Sequence, residues 1–263
     1  MRLSRQLLGT IFCLLTVFIP SHINAAIEPP SAESVERARE ILRSIDDLWR
    51  GDSSYAIFSM HVKTEHYQRS MQMEAWSKGK DKSLVKILKP LKEKGTASLK
   101  SGKHLYSYLP RTDRTIRLTS GMMMGSWMGS HFTNDDLVDE SRMDEDYTPA
   151  VTFEGVRDGN DIIEFALIPK EDAAVVWGKI ILTVFAKSLL PIEEIFYDED
   201  GIETRRMSFS DYKVMSGREL PAVMRVTPTD KPDEYTEIIY ETLELNVDLK
   251  DSLFSINSLK RRR

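Results

Sequence analysis

Between Ser31 and Gly51, apolar side chains return every three or four positions, at Val35, Ala38, Ile41, Leu42, Ile45, Leu48 and Trp49. Such spacing gathers them on one stripe of an α-helix. It predicts an amphipathic helix of about five turns, with Ser31 placed as N-cap and Gly51 closing it. From Ser53 the period shortens to two. Ala56, Phe58, Met60 and Val62 alternate with polar residues, as do Met71, Met73 and Ala75, so each set lies on one face of a strand. Strand-like runs continue at 84–88, 96–99, 104–109 and 115–118, and resume after an interruption at 150–156, 162–168, 179–185, 192–197, 203–209, 222–227 and 236–245. Turn signals separate them, among them Lys78-Gly79, Ser101-Gly102, Asp158-Gly159-Asn160, Asp200-Gly201 and Ser216-Gly217.

Strands joined by such short connections become antiparallel neighbours in a meander. No strand–helix–strand alternation is present, which excludes a parallel dinucleotide-binding sheet. The expected class is mainly β with α (α+β). The expected architecture is a large curved antiparallel sheet, or incomplete β-barrel, with an N-terminal helix and a short lid helix covering its concave face. Neither a Pro- or Ser-rich linker nor an internal repeat divides the chain, so residues 26–263 read as a single domain.

The interruption between the two sets of strands has its own character. Residues 121–132 read GMMMGSWMGSHF, and Met122, Met123, Met124, Trp127, Met128 and Phe132 crowd between Gly121, Gly125 and Gly129. The glycines disfavour a long helix or a strand. Thr133, followed by Asp135 and Asp136, is placed to cap a short helix through Leu137 and Val138. Two readings fit the methionines: gap-filling in a core, or a mobile apolar lid that adapts to varied ligands. The glycine-punctuated clustering favours the lid, and these six residues are candidate ligand contacts or gates.

The start of the chain has a different composition. Arg2 and Arg5 precede an apolar run from Leu7 to Ile19, which Pro20 ends, and Ala25 offers a small residue before a cut. This is the layout of a cleavable secretory signal peptide, residues 1–25, in a run too short to span a bilayer. The sole cysteine, Cys13, leaves with it, and Thr10-Ile11-Phe12 lacks the small residue a lipid-attachment site needs. The mature chain is therefore expected in the periplasm, soluble and not lipid-anchored.

Charge excludes some functions. With 36 Lys+Arg against 41 Asp+Glu the protein is mildly acidic, and no nucleic acid is expected as partner. Residues 78–117 carry 12 Lys/Arg and 3 Asp/Glu, a net of +9, whereas residues 133–174 carry 3 and 13, a net of −10. That asymmetry can steer docking, and at most transient membrane contact is expected. The mature histidines, His61, His66, His104 and His131, form no metal-binding spacing, and no nucleophile elbow, Walker A or dinucleotide fingerprint occurs. The chain reads as a binder and not an enzyme, with no catalytic residue, no metal and no cofactor.

Several phrases in order, LKPLKEKGTASLKSGKHLYSYLPRTDRTIRL, GSWMGSHFTNDDL, SLLPIEEIFYDEDG, GRELPAVMRVTP and DSLFSINSLKR, resemble the outer-membrane lipoprotein-sorting proteins of the LolA-like superfamily. The resemblance covers roughly residues 40–260. It implies an incomplete antiparallel barrel closed by helices, a periplasmic location, and an apolar cavity for the acyl chains of a lipoprotein or lipid. On such a sheet the row Phe58, Met60, Met71 and Met73 would line the cavity. Extracting a 16-carbon chain from a membrane costs about 12 kcal/mol, which an enclosed site recovers better than a surface patch. The function expected is a carrier moving a lipidated ligand towards the outer membrane, between an inner-membrane transporter and an outer-membrane acceptor. The alternative is a non-transporting module of the same fold, a lipid or lipoprotein sensor or an accessory subunit of an inner-membrane exporter.

Overall fold

The computed structural model describes residues 32–139, 143–173 and 175–260. The expected signal segment and Ser31 lie outside the described residues.

The amphipathic stripe forms helix α1 (Ala32–Arg50), and Gly51 ends it in the left-handed conformation, at φ +58°. Ala38, Leu42 and Ile45 are buried and point into the main core. Every predicted strand is present: β1 (Ser53–Lys63), β2 (Gln68–Lys78), β3 (Lys82–Lys89), β4 (Ala97–Ser101), β5 (His104–Leu109) and β6 (Arg114–Arg117) before the interruption. After it come β7 (Tyr147–Arg157), β8 (Asn160–Pro169), β9 (Lys179–Phe185), β10 (Pro191–Tyr197), β11 (Glu203–Met215), β12 (Arg218–Pro228) and β13 (Tyr235–Leu245). The hairpin turns at Asp158-Gly159 and Ser216-Gly217 carry positive φ at both central residues, the twist-matched two-residue turn.

All thirteen strands form one antiparallel sheet in the order β6-β5-β4-β3-β2-β1-β13-β12-β11-β10-β9-β8-β7. Two meanders, β1–β6 and β7–β13, meet where the first strand pairs with the last, with Phe58 opposite Tyr240 and Met60 opposite Ile238. The sheet does not close, so β6 and β7 are its two edges. The described part of the segment joining those edges, residues 118–139 and 143–146, forms a strap across the concave face. It holds the short lid helix α2 (Asp136–Asp139) and a second one-turn helix, α3 (Met143–Asp146).

The inward rows of the sheet, α1 and the strap share one core, which includes Phe58, Met60, Met73, Phe165, Leu182 and Val226. Helix α1 runs beside β7, where Arg37 makes a two-pronged contact with Glu154, both oxygens at 2.9 Å. A second, smaller core lies on the convex face. There Trp76, Leu84, Leu99 and Tyr108 are covered by Phe254 and by Leu259 of helix α4 (Ile256–Leu259). Among the described residues no helix is long and apolar enough to cross a membrane.

Candidate functional site

Between the concave face and its cover lies a cavity of about 330 Å³. That is at the small end of the range for small-molecule sites, about 300–1,000 Å³. Its wall comes from alternate residues of several strands, among them Phe58, Leu182, Phe196, Phe209, Ile238 and Tyr240. Its roof comes from Leu42 and Ile45 of α1 and from Trp127, Phe132 and Leu137 of the strap. Strand alternation makes this wall apolar, because every second side chain of a curved sheet points to the inside.

The strap is anchored at several points. Its tip is a tight loop in which the Trp127 N–H donates to the Phe132 carbonyl at 2.8 Å and Ser126 bridges to Thr133. The Trp127 indole donates to Ser98 Oγ of β4 at 3.0 Å, and its ring meets Phe132 edge to face with centroids 6.5 Å apart. Tyr67 donates to the Gly129 carbonyl at 2.8 Å, and Arg69 to the Met128 carbonyl at 2.8 Å. The His131 N–H donates to Thr236 Oγ1 at 2.9 Å, and its ring lies 3.2 Å from Glu234. The Glu65 N–H and the His131 ring hold the Glu234 carboxyl below the usual carboxylate range.

A buried ion pair fastens the lid helix. The Thr133 N–H donates to Asp136 Oδ2 at 2.7 Å and the Asp136 N–H to Thr133 Oγ1 at 3.3 Å, so Thr133 caps α2 reciprocally. Asp136 also accepts two bonds from Arg205 of β11, at 2.7 and 2.5 Å. The Arg205 side chain is 5% exposed, and its guanidinium carbon lies 4.4 Å from the centroid of Trp177 and 4.2 Å from that of Phe196. Pairing and stacking together make this buried cation tolerable.

The candidate residues divide by position. Phe58, Trp127 and Phe132 are on the cavity surface. Met60, Met71 and Met73 face the same side but are wholly buried in the core beside the cavity. Met128 is half-buried against that core and Met123 is half-buried. Met122 and Met124 face outward, 41% and 53% exposed. The strap thus has an outer methionine arm and an inserted tip.

Arg205, Asp136 and a polar row on the cavity wall, Ser54, Ser77, Ser83 and Lys100, are additional to that prediction. One signal for the row is present in the sequence. Each member is a polar residue at the inward phase of its strand, where the neighbour two positions further into the strand, Ala56, Ala75, Val85 or Ser98, is apolar or buried. Among the described residues no group of three or more His, Asp or Glu side chains converges as a metal set.

The model of a family described as "Uncharacterized protein" matches residues 79–261. No curated protein matches the sequence. A domain from Vibrio parahaemolyticus, described as that of an outer membrane lipoprotein-sorting protein, superposes with TM-score 0.77 at 25% identity, over 86% of this chain and 100% of that one. A DUF1329 family protein from Desulfovibrio piger gives TM-score 0.79 at 21% identity, over 86% and 99%. A LolA superfamily protein from Nitrosomonas europaea gives 0.72 at 23% identity, over 84% and 98%. The incomplete barrel is therefore the fold of these outer membrane lipoprotein-sorting and LolA superfamily structures.

Proposed function

The chain belongs to the family whose model spans residues 79–261, and from that membership and its LolA superfamily fold we propose that it is a periplasmic carrier of acyl chains. The observation that carries this reading is the apolar cavity roofed by α1 and the strap. A core built only for stability would be packed without a void of this size, since interiors are close-packed and each void forfeits contact energy. The acyl chain of a lipid or lipoprotein would lie against Phe58, Trp127 and Phe132, with Met123 and Met128 repacking around chains of different length. Met122 and Met124, on the outer arm, would meet the donor membrane or the inner-membrane transporter first. Transfer towards the outer membrane would follow release of the strap. The protein in this reading binds and releases and makes or breaks no covalent bond.

The test is native mass spectrometry of the protein purified from its own periplasm, followed by transfer to acceptor vesicles. The expected result is a mature chain beginning at Ala26, a mass excess removed by organic solvent, and delivery of that lipid to vesicles. A chain that keeps Met1 in a membrane pellet would refute the location. A lipid-free chain that takes up no lipid from donor vesicles would refute the carrier.

A further inference from the structure

One level of the cavity wall is polar across four neighbouring strands. Ser54 of β1 stands opposite Ser77 of β2, Ser77 opposite Ser83 of β3, and Ser83 opposite Lys100 of β4. The Ser54 and Ser77 hydroxyls are 2.6 Å apart. All four residues line the cavity, and Lys80 joins them from the β2–β3 turn. Lys100 is 5% exposed, and its ammonium donates to the Lys80 carbonyl at 2.8 Å. A sheet that only closed a core would carry hydrophobes at these inward positions, as β1 does at Ala56, Phe58 and Met60. Lys100 is buried and the three serines are half-buried on this wall, so an anion entering the cavity would meet a cation and hydroxyl donors in place of hydrophobes.

Resting on the acyl-carrier reading above, we propose that this row is a headgroup site and that the ligand is an amphiphile with one acyl tail and an anionic oxygen head, a carboxylate or a phosphate. The tail would lie along Phe58, Phe209 and Trp127, and the head would take charge-assisted bonds from Lys100 and Lys80 and hydroxyl bonds from Ser77 and Ser83. Among the described residues the carboxylates that line the same cavity are Asp136, Asp144 and Glu194. Asp136 is held by Arg205. Asp144 lies 3.4 Å from Lys80 Nζ and 3.5 Å from Arg43 Nε. Lys80 Nζ also lies 3.9 Å from Glu145, whose side chain is 57% exposed, so an incoming anion would leave Asp144 on Arg43 and Glu145 in water. Glu194 comes from β10, in the other meander, and would repel an anion that entered by that side. The volume of about 330 Å³ suits one chain better than several.

Trp127 and Trp177 line the cavity and supply the readout. The mature protein, delipidated, is titrated at pH 8 with 9,10-dibromostearate, with its methyl ester and with a dibrominated lysophosphatidylglycerol, whose bromines quench tryptophan on contact. The anionic probes should bind more tightly than the ester by about tenfold or more, the yield of a charge-assisted bond. Which of the two anions binds better identifies carboxylate or phosphate as the head. Lys100→Met, which keeps the aliphatic stem, should lower that ratio several-fold. Lys80→Met, at a position whose side chain is 40% exposed, should reduce the ratio even if the buried variant folds poorly. Equal binding of acid and ester by the unmodified protein overturns the proposal, and so does a preference that survives both lysine changes. Quenching by none of the probes overturns the acyl-binding reading itself, and the headgroup site with it.

Discussion

Removing Asp136 tests whether the lid helix is held by a buried ion pair. The Arg205 side chain is 5% exposed and that of Asp136 13%, so Asp136→Ala leaves a guanidinium without its counter-ion in a site that water scarcely reaches. Breaking a buried pair from one side costs about 3–5 kcal/mol. Stacking on Trp177 and Phe196 remains and moderates the loss, whereas the bond from the Thr133 N–H to Asp136 disappears and adds to it. At about 2–4 °C per kcal/mol for a domain of this size, the melting temperature should fall by about 6–20 °C. Paired replacement, Asp136→Leu with Arg205→Met, removes both charges and fills the space with apolar atoms. It should be less destabilising than Asp136→Ala alone, because the desolvation cost vanishes with the charges. Urea unfolding followed by circular dichroism, on both single variants and the pair, gives the coupling. A loss below about 1 kcal/mol for Asp136→Ala, the figure for an exposed pair, would refute the reasoning. A paired variant as unstable as the sum of its parts would do the same.

The strap should respond in two ways. Trp127→Ala should cost about 3–5 kcal/mol, as for a buried aromatic, and Met124→Ser should stay within about 0.5 kcal/mol of the parent; thermal unfolding of the two variants side by side checks the contrast, and equal melting temperatures would show that the tip is not part of the core. Acidification should weaken one anchor of that tip: Glu234 titrates below its ordinary 4.5 in the folded protein because the Glu65 N–H and the His131 ring favour its ionised form. Its contribution is complete above the unfolded value and is lost as pH falls through the folded one. Glu234→Gln should therefore be less stable than the parent at pH 7, and the gap should narrow as pH falls below 4.5; a gap that widens on acidification would contradict the assignment.

The alternation of Ala56, Phe58, Met60 and Val62, like that of Met71, Met73 and Ala75, is a local property. A strand turns every second side chain to the same face whatever its partner, so strand positions, turns and the helix at 32–50 were legible from spacing alone. Thr133 as a helix cap was legible for the same reason, since capping is settled within four residues. The pairing of β1 with β13 was not, because nothing in either strand names a partner that far along the chain. That pairing leaves β6 and β7 as edges and sends the connection between them across the concave face. This path makes Trp127 and Phe132 a roof and leaves Met122 and Met124 outside, a division that a uniform run of methionines and glycines does not disclose. Lys100 and the serines are ordinary polar residues in sequence. They become one row only through the registers of four strands, and Arg205 becomes the anchor of the lid only because β11 runs beneath a helix some seventy residues earlier. Periodicity sets which face of an element is apolar, whereas contact between distant elements depends on packing the whole sheet, and the cavity exists only at that level.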